Sequence, residues 1–213
     1  MKVLVTAGAT WVKIDRVRIL TTKFTGRTGI EIARGLKKAG HDVTLLINPH
    51  CVAKELNGLN VVEFRYYEEL KGQLQKLLKA KRFDCLVHSA AVSDYILPKP
   101  VKGKIASGKQ AVNLRLKPAE KLTLLARKLK PQLLMIQFKL EAERKGLINK
   151  AFTSLKHNQS DFVVANALCD LEKEYKAYFI NSEKEFIKLD SRAGLVGVIN
   201  HILSHSAGNR SCC

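Results

Sequence analysis

The sequence predicts an α/β fold, with a doubly wound, mostly parallel sheet between helices and a small β arm or flap. Three observations predict it. Short apolar runs of strand length alternate with stretches of helical period. The first run, Val3-Leu4-Val5-Thr6, ends at once in the small residues Ala7-Gly8-Ala9-Thr10. A second small-residue cluster, Thr25-Gly26-Arg27-Thr28-Gly29, opens the first helical stretch.

The elements follow in order. Val3–Thr6 is a short buried strand. Residues 29–39 form a helix, because Ile30, Ile32, Ala33, Leu36 and Ala39 fall near one face and Gly40 stops it. Val43–Ile47 is a second strand and Val61–Phe64 a third. Residues 67–80 are an amphipathic helix with the stripe Leu70, Leu74, Leu77 and Leu78. Cys85–Val87 is a central strand running into His88-Ser89-Ala90-Ala91. Residues 93–110, rich in Pro, Gly and Lys, read as a functional loop, since structureless loops of that length are uncommon in compact domains. Val112–Leu116 alternates like a half-exposed strand. A helix over 118–129, a strand over Leu133–Phe138, a helix over 145–157 and a strand over Phe162–Ala165 follow. Tyr175–Ile180 and Glu185–Leu189 read as a hairpin, and 191–204 as the last helix. Right-handed crossovers make this a Rossmann-like single domain over 1–207, with a flap at about 93–110 and a tail at 208–213. Ligands in such sheets bind beyond the carboxyl ends of the strands.

The chain has 213 residues, 46% of them hydrophobic, enough for one full core. No apolar run approaches the ~20 residues that span a bilayer, and Gly8 follows the start too closely for a signal peptide. A cytoplasmic location and free thiols are expected, for Cys51, Cys85 and Cys169 as for the terminal Cys212 and Cys213. Lys and Arg number 37 against 19 Asp and Glu, a net charge of +18 that suits anionic partners. The positives are spread along the chain, densest in 98–130, which is unlike a basic nucleic-acid-binding tail.

Four segments converge on the carboxyl ends. At Thr6–Thr10, small residues let a phosphate or sugar approach the backbone, or simply make a tight turn; the three spaced glycines of a dinucleotide fingerprint are missing. Gly26-Arg27-Thr28-Gly29 offers a helix N-terminus and a guanidinium to an anion, with Arg16, Arg18 and Lys23 upstream; a plain helix start is the other reading. In His88–Tyr95, Asp94 suits Mg²⁺ or a ribose hydroxyl, or forms a turn, and His88 reads as a packed strand-end residue. Lys99, Lys102, Lys104 and Lys109 populate the long loop, which is either a lid for a polyanion or a solvated linker.

Taken in order, these segments resemble phosphopantothenate–cysteine ligases (phosphopantothenoylcysteine synthetases). Thr6–Thr10, Ile14-Asp15-Arg16-Val17-Arg18 and Gly26–Gly29 resemble that family's T-x-G-G-T turn, I-D-x-V-R segment and S-G-x-x-G helix start. His88–Tyr95 resembles its central signature, and Lys104-Ile105, ten residues past Asp94, its lysine-isoleucine pair. Phe138-Lys139-Leu140 and Asp161–Asn166 resemble its G-F-K-L and D-x-I-V-A-N segments. The likeness spans roughly residues 2–200 and is closest to the stand-alone form of the DNA/pantothenate metabolism flavoprotein C-terminal domain family, so no flavin is expected.

The resemblance implies a reaction and a site. A nucleoside triphosphate, CTP or ATP, with Mg²⁺, would activate the carboxylate of 4′-phosphopantothenate as an acyl-nucleotidylate, and cysteine would then form the amide. Gly8, Ala90, Asp94, Lys130, Pro131, Phe138 and Lys139 would contact the nucleotide, with Asp94 near the metal. Lys104 would close over the phosphates, and Arg18 and Ala91 would bracket the intermediate. Gly26, Arg27 and Gly29 would hold or shape the pantothenate-phosphate pocket. The family's Asn that grips the intermediate is replaced by Thr22. Ala9, Gln137 and Ala167 also depart from the pattern. A homodimer is implied, with 112–116 at its interface. Neither membrane nor nucleic acid is an expected partner.

Two other classes compete. Tyr95-Ile96-Leu97-Pro98-Lys99 matches the Y-x-x-x-K of nicotinamide-dependent reductases, but Pro98 and Pro100 oppose the helix that pair needs. A non-catalytic nucleotide- or nucleic-acid-binding homologue fits the charge and Thr22, but aromatic stacking platforms and a nucleic-acid motif are lacking.

Overall fold

A computed structural model describes residues 1–50, 56–108, 110–171 and 173–208. Cys51, Lys109, Cys212 and Cys213 lie outside the described residues. The elements in chain order are β1 (Lys2–Ala7), β2 (Val12–Lys13), β3 (Ile19–Leu20), α1 (Arg27–Lys38), β4 (Asp42–Ile47), β5 (Asn60–Glu63), α2 (Tyr67–Ala80), β6 (Cys85–His88), β7 (Tyr95–Ile96), β8 (Lys117–Pro118), α3 (Leu122–Leu129), β9 (Leu134–Glu141), α4 (Leu147–His157), β10 (Phe162–Ala167), α5 (Leu168–Leu171), β11 (Ala177–Ile180), β12 (Phe186–Leu189) and α6 (Arg192–Gly208).

One sheet has the order β12-β11-β10-β9-β6-β1-β4-β5. The strands from β10 to β5 pair in parallel, while β11 and β12 add an antiparallel edge. Numbered among themselves, the parallel strands read 6-5-4-1-2-3, the doubly wound order whose switch point lies between the first and fourth. Here that point is the crevice beyond the carboxyl ends of β1 and β6.

Alternation along each strand builds the layers. Val3, Val5 and Ala7 point into one core with Ile30, Ala33 and Leu36 of α1 and Leu195, Ile199 and Leu203 of α6. Leu4 and Leu86 point the other way, against Leu70, Leu74 and Leu78 of α2 and Leu122 and Leu125 of α3. Leu147, Ala151 and Leu155 extend that second layer with α4, over Val163 and Ala165. The start of α2 is secured by Glu69, whose carboxylate accepts the N–H groups of Arg65 at 2.7 Å and Tyr66 at 3.2 Å.

The arm differs from the sequence reading. Residues 111–116 form no strand and are mostly exposed. Alternation makes a strand only where a neighbour offers its hydrogen-bonding edge, and none does there. The ladder forms instead between β7 and β8, pairing Tyr95 with Pro118 and Ile96 with Lys117. That pairing takes Pro118 out of the helix expected over 118–129, and α3 starts at Leu122. A second small ladder, β2 with β3, lies in a stretch that periodicity left unread, because two-residue strands carry no period. Strand β9 runs on to Glu141 because β10 stays paired with it that far.

Candidate active site

The turn after β1 and the loop after β6 are stitched into one floor. The N–H of Ala91 donates to Gly8 O at 2.9 Å, and the N–H of Thr10 to Ala91 O at 3.1 Å. Ser89 Oγ and the Ser89 N–H both donate to Thr6 O, at 2.7 and 3.2 Å. The Thr10 hydroxyl donates to Ser93 Oγ at 3.0 Å and accepts the Ser93 N–H at 2.9 Å. The Ala90 N–H donates to Thr6 Oγ1 at 3.2 Å, and that oxygen lies 2.8 Å from His88 Nδ1. Burial pushes the His88 imidazole down to about 4, so it is neutral at physiological pH and serves the floor as a packed group.

The start of α1 is pressed onto this floor. Gly26 has φ +80°, and a Cβ there would sit 2.5 Å from Gly8 N. A Cβ on Gly29 would lie 2.5 Å from Ser89 Oγ and 2.6 Å from Ala7 Cβ. Both glycines are therefore required for close approach. The first turn of α1 contains no acidic residue, so its positive dipole end stays uncompensated beside Gly8. Gly8, Gly26, Gly29, Ala90 and Ala91 are thus brought together at the switch point. Arg27 lies beside them, but its guanidinium is turned along the helix to Glu31 at 2.9 Å.

The lysine loop docks from the other side. The N–H of Val101 donates to Ile14 O at 2.8 Å, and that of Arg16 to Gly103 O at 2.9 Å. Asp15, 1% exposed, accepts the N–H groups of Val17 and Arg18 on Oδ1, both at 2.7 Å. Its Oδ2 accepts Arg18 Nη1 at 2.5 Å and the Ile105 N–H at 2.9 Å. These donors, that of Ile105 foremost, hold the Asp15 carboxyl well below the usual carboxylate range. Arg18 also donates to Ile105 O at 3.3 Å. Arg18 and Ile105, the residue after Lys104, are in this way tied to one carboxylate. Lys104 is exposed and has no hydrogen-bond or ion-pair partner among the described residues. Asp15 went unassigned in the sequence reading, although an Asp two and three residues before the N–H groups it caps is an Asx-turn signature.

The remaining predicted residues divide. Thr22 is exposed, while its neighbour Thr21 donates to Thr10 O at 3.0 Å, placing this stretch beside the floor. Phe138 follows Gln137, which lies two strands from β1 and level with His88. Its ring packs toward the α1 core. Lys139 points to the opposite face and pairs with Glu141 at 3.1 Å. Gln137 turns its amide onto Ser154, Asn158 and Ser160, so its departure from the glycine of the pattern is absorbed under α4.

Asp94 carries Lys121 at 2.6 Å with a largely exposed carboxylate. No three His, Cys, Asp or Glu side chains gather to hold a metal among the described residues. A lone carboxylate such as Asp94 makes no magnesium site by itself and suits an ion carried on a nucleotide's phosphates.

Lys130 and Pro131 need correction. They precede β9, at the amino end of the sheet, about 13 Å of strand before Phe138. Pro131 O is held there by Arg127 at 2.6 Å, and the same guanidinium holds Asp161 at 2.9 Å. Pro131 belongs to an Arg127 clamp, and Lys130 beside it lies at the same end of the sheet, opposite the crevice. The Tyr95–Lys99 stretch also gives no reductase helix, since Tyr95 and Ile96 are β7.

A family model described as the DNA/pantothenate metabolism flavoprotein C-terminal domain matches residues 1–193. The coenzyme A biosynthesis bifunctional protein CoaBC of Thermococcus kodakarensis is 35% identical over 169 residues, 78% of this chain and 41% of its own length. The chain spans less than half the length of the curated relatives it matches first. A crystal structure of the DNA/pantothenate metabolism flavoprotein from Streptococcus pneumoniae is 26% identical with a TM-score of 0.86, covering 97% of this chain and 99% of that one. A Cab2 mutant in complex with phosphopantothenate-cysteine shares the fold at 18% identity, with a TM-score of 0.79 over 97% of this chain and 88% of its own.

Proposed function

The chain belongs to the DNA/pantothenate metabolism flavoprotein C-terminal domain family, and on that premise we propose that it joins 4′-phosphopantothenate to L-cysteine through an acyl-nucleotidylate made from CTP or ATP. In the first step a carboxylate oxygen of phosphopantothenate attacks the α-phosphorus and pyrophosphate leaves. In the second, the cysteine amine attacks the acyl carbon, loses its proton and expels the nucleoside monophosphate. The observation that carries the reading is the crevice at the switch point. There the uncompensated start of α1 abuts Gly8, and the lysine loop docks onto the Arg18 segment.

Both substrates are polyanions, and the chemistry needs fixed positive groups where phosphate charge accumulates. The floor of Gly8, Ala90 and Ala91 gives a ligand backbone-close access, with Phe138 of β9 one residue beyond the level of His88. Gly26 and Gly29 open the α1 N-terminus toward the pantothenate phosphate, and Arg27 shapes its rim. Lys104 reaches the leaving pyrophosphate, and Arg18 the acyl-phosphate oxygens. Asp94 and Lys139 act from the rim of the nucleotide site. Magnesium arrives on the nucleotide's phosphates, as part of that substrate. No flavin takes part. We place the enzyme in the cytoplasm; among the described residues no helix is long and apolar enough to cross a membrane.

Exposed apolar side chains are concentrated in two segments, Val17 and Leu20 around the β2–β3 ladder and Tyr95, Val101 and Val112 along the arm. A second copy of the chain covering them accounts for this concentration and supports a homodimer.

The reaction is tested by mass spectrometry of the product. Phosphopantothenoylcysteine is expected only when phosphopantothenate, cysteine and a nucleoside triphosphate are all present. An amide-free mixture would sink the reading. Thr22→Asn restores the paired amide donor and acceptor of the family pattern. It is expected to keep the rate of amide formation or raise it, by about tenfold where one hydrogen bond of roughly 1.5 kcal/mol is regained. Loss of activity in Thr22→Asn would mean that the intermediate is held differently here.

A further inference from the structure

We propose that Asp15 is a positioning residue that latches the lysine loop and aims Arg18 with the same carboxylate oxygen. The two oxygens of Asp15 divide their work. Oδ1 serves the chain locally, accepting the N–H groups of Val17 and Arg18. Oδ2 serves a segment ninety residues away, accepting the Ile105 N–H while it holds Arg18 Nη1. Arg18 closes the ring by donating to Ile105 O. Two backbone hydrogen bonds, Val101 to Ile14 and Arg16 to Gly103, lie on either side of this ring. The carboxylate is fully buried although the loop it holds is largely exposed.

This arrangement makes docking of the loop and orientation of Arg18 a single event. When residues 101–105 lift away, Oδ2 loses its one long-range donor and Arg18 loses its acceptor on Ile105. When they dock, Lys104 is carried by the peptide that Asp15 grips. A buried carboxylate with four donors is a costly feature to maintain for an Asx turn alone, which needs one oxygen. The second oxygen explains the burial. The role in turnover rests on the ligase reading; the latch does not.

Asparagine separates the two oxygens. In Asp15→Asn one oxygen can still accept from Val17 and Arg18, but Nδ2 then faces two donors, Ile105 N–H and the Arg18 guanidinium. Ile105→Pro deletes the same hydrogen bond from the loop side and leaves the Asp15 turn whole. Limited trypsin digestion of the full chain reads the latch without any assay of activity. Cleavage after Lys102 is expected to rise about tenfold in either variant, and after Lys104 in Asp15→Asn, whose Lys104–Ile105 bond trypsin can still cut, since proteolysis follows the population of the open form. The double variant is expected to cleave no faster than Asp15→Asn, because both changes remove one contact. Melting temperatures identify any variant that is globally unfolded, and Ile105→Pro carries the test if Asp15→Asn is. In the ligase assay Asp15→Asn is expected to lower kcat by about tenfold or more, with KM for cysteine unchanged. Wild-type cleavage rates at Lys102 and Lys104 in folded Asp15→Asn, or multiplying effects in the double variant, would overturn the latch. A protein without ligase activity but with the proteolysis pattern intact would remove the proposed reaction and leave the latch standing.

Discussion

Gly26→Ala is expected to destabilise the protein by about 3 kcal/mol and to abolish amide formation. Two costs add. Gly26 holds φ +80°, where an L side chain costs roughly 1–2 kcal/mol. The new Cβ would also meet the backbone of Gly8 at 2.5 Å, and a backbone at the end of a buried strand cannot step aside as a side-chain tip can. Overpacking of that kind costs about 1–3 kcal/mol. For a chain of this size the sum lowers the melting temperature by roughly 6–12 °C. Gly40→Ala is the control, because Gly40 has φ +88° with nothing within 4 Å of the added Cβ. It should show the conformational cost alone and keep full activity. Equal melting temperatures for the two variants would mean that α1 does not bear on Gly8 as closely as described.

Lys104→Gln is expected to behave in the opposite way, with melting unchanged and kcat reduced about 10²–10³-fold. Lys104 is exposed, and no partner among the described residues depends on it. Surface changes of this sort alter stability by no more than about 0.5 kcal/mol. In the proposed reaction, however, it would supply a positive charge over the pyrophosphate as negative charge moves onto it, and loss of one such group typically costs about 10²–10³ in rate. Single-turnover measurement of pyrophosphate release separates this step from amide formation. Normal release in Lys104→Gln would show that the loop does not act on the phosphates.

How much of this was legible beforehand depended on the length of the pattern. Val3–Thr6, the Leu70–Leu78 stripe and the hairpin at β11 and β12 carry their period or their turn within a few residues, and each emerged as read. Of the floor, the small residues at the ends of β1 and β6 were legible, but a ligand approach and a plain tight turn read alike there. The arm was not. Val112–Leu116 alternates, but a strand needs a partner edge, and pairing went to Tyr95–Ile96 and Lys117–Pro118, whose two-residue length leaves no trace in hydrophobicity. Lys130 and Pro131 were misplaced for a related reason. Proximity in sequence to β9 does not say which end of β9 a residue occupies, and they sit before it. Asp15 was visible as a motif letter, but its function lies in a hydrogen bond to Ile105, and no local pattern spans ninety residues.

The most direct measurement is pyrophosphate release, nucleotide by nucleotide, from the wild-type protein with phosphopantothenate and Mg²⁺, with and without cysteine. The predicted result is release with CTP or with ATP that depends strictly on phosphopantothenate, followed by nucleoside monophosphate only when cysteine is added. Release that ignores phosphopantothenate, or none with either CTP or ATP, would contradict an acyl-nucleotidylate formed at the β1–β6 crevice.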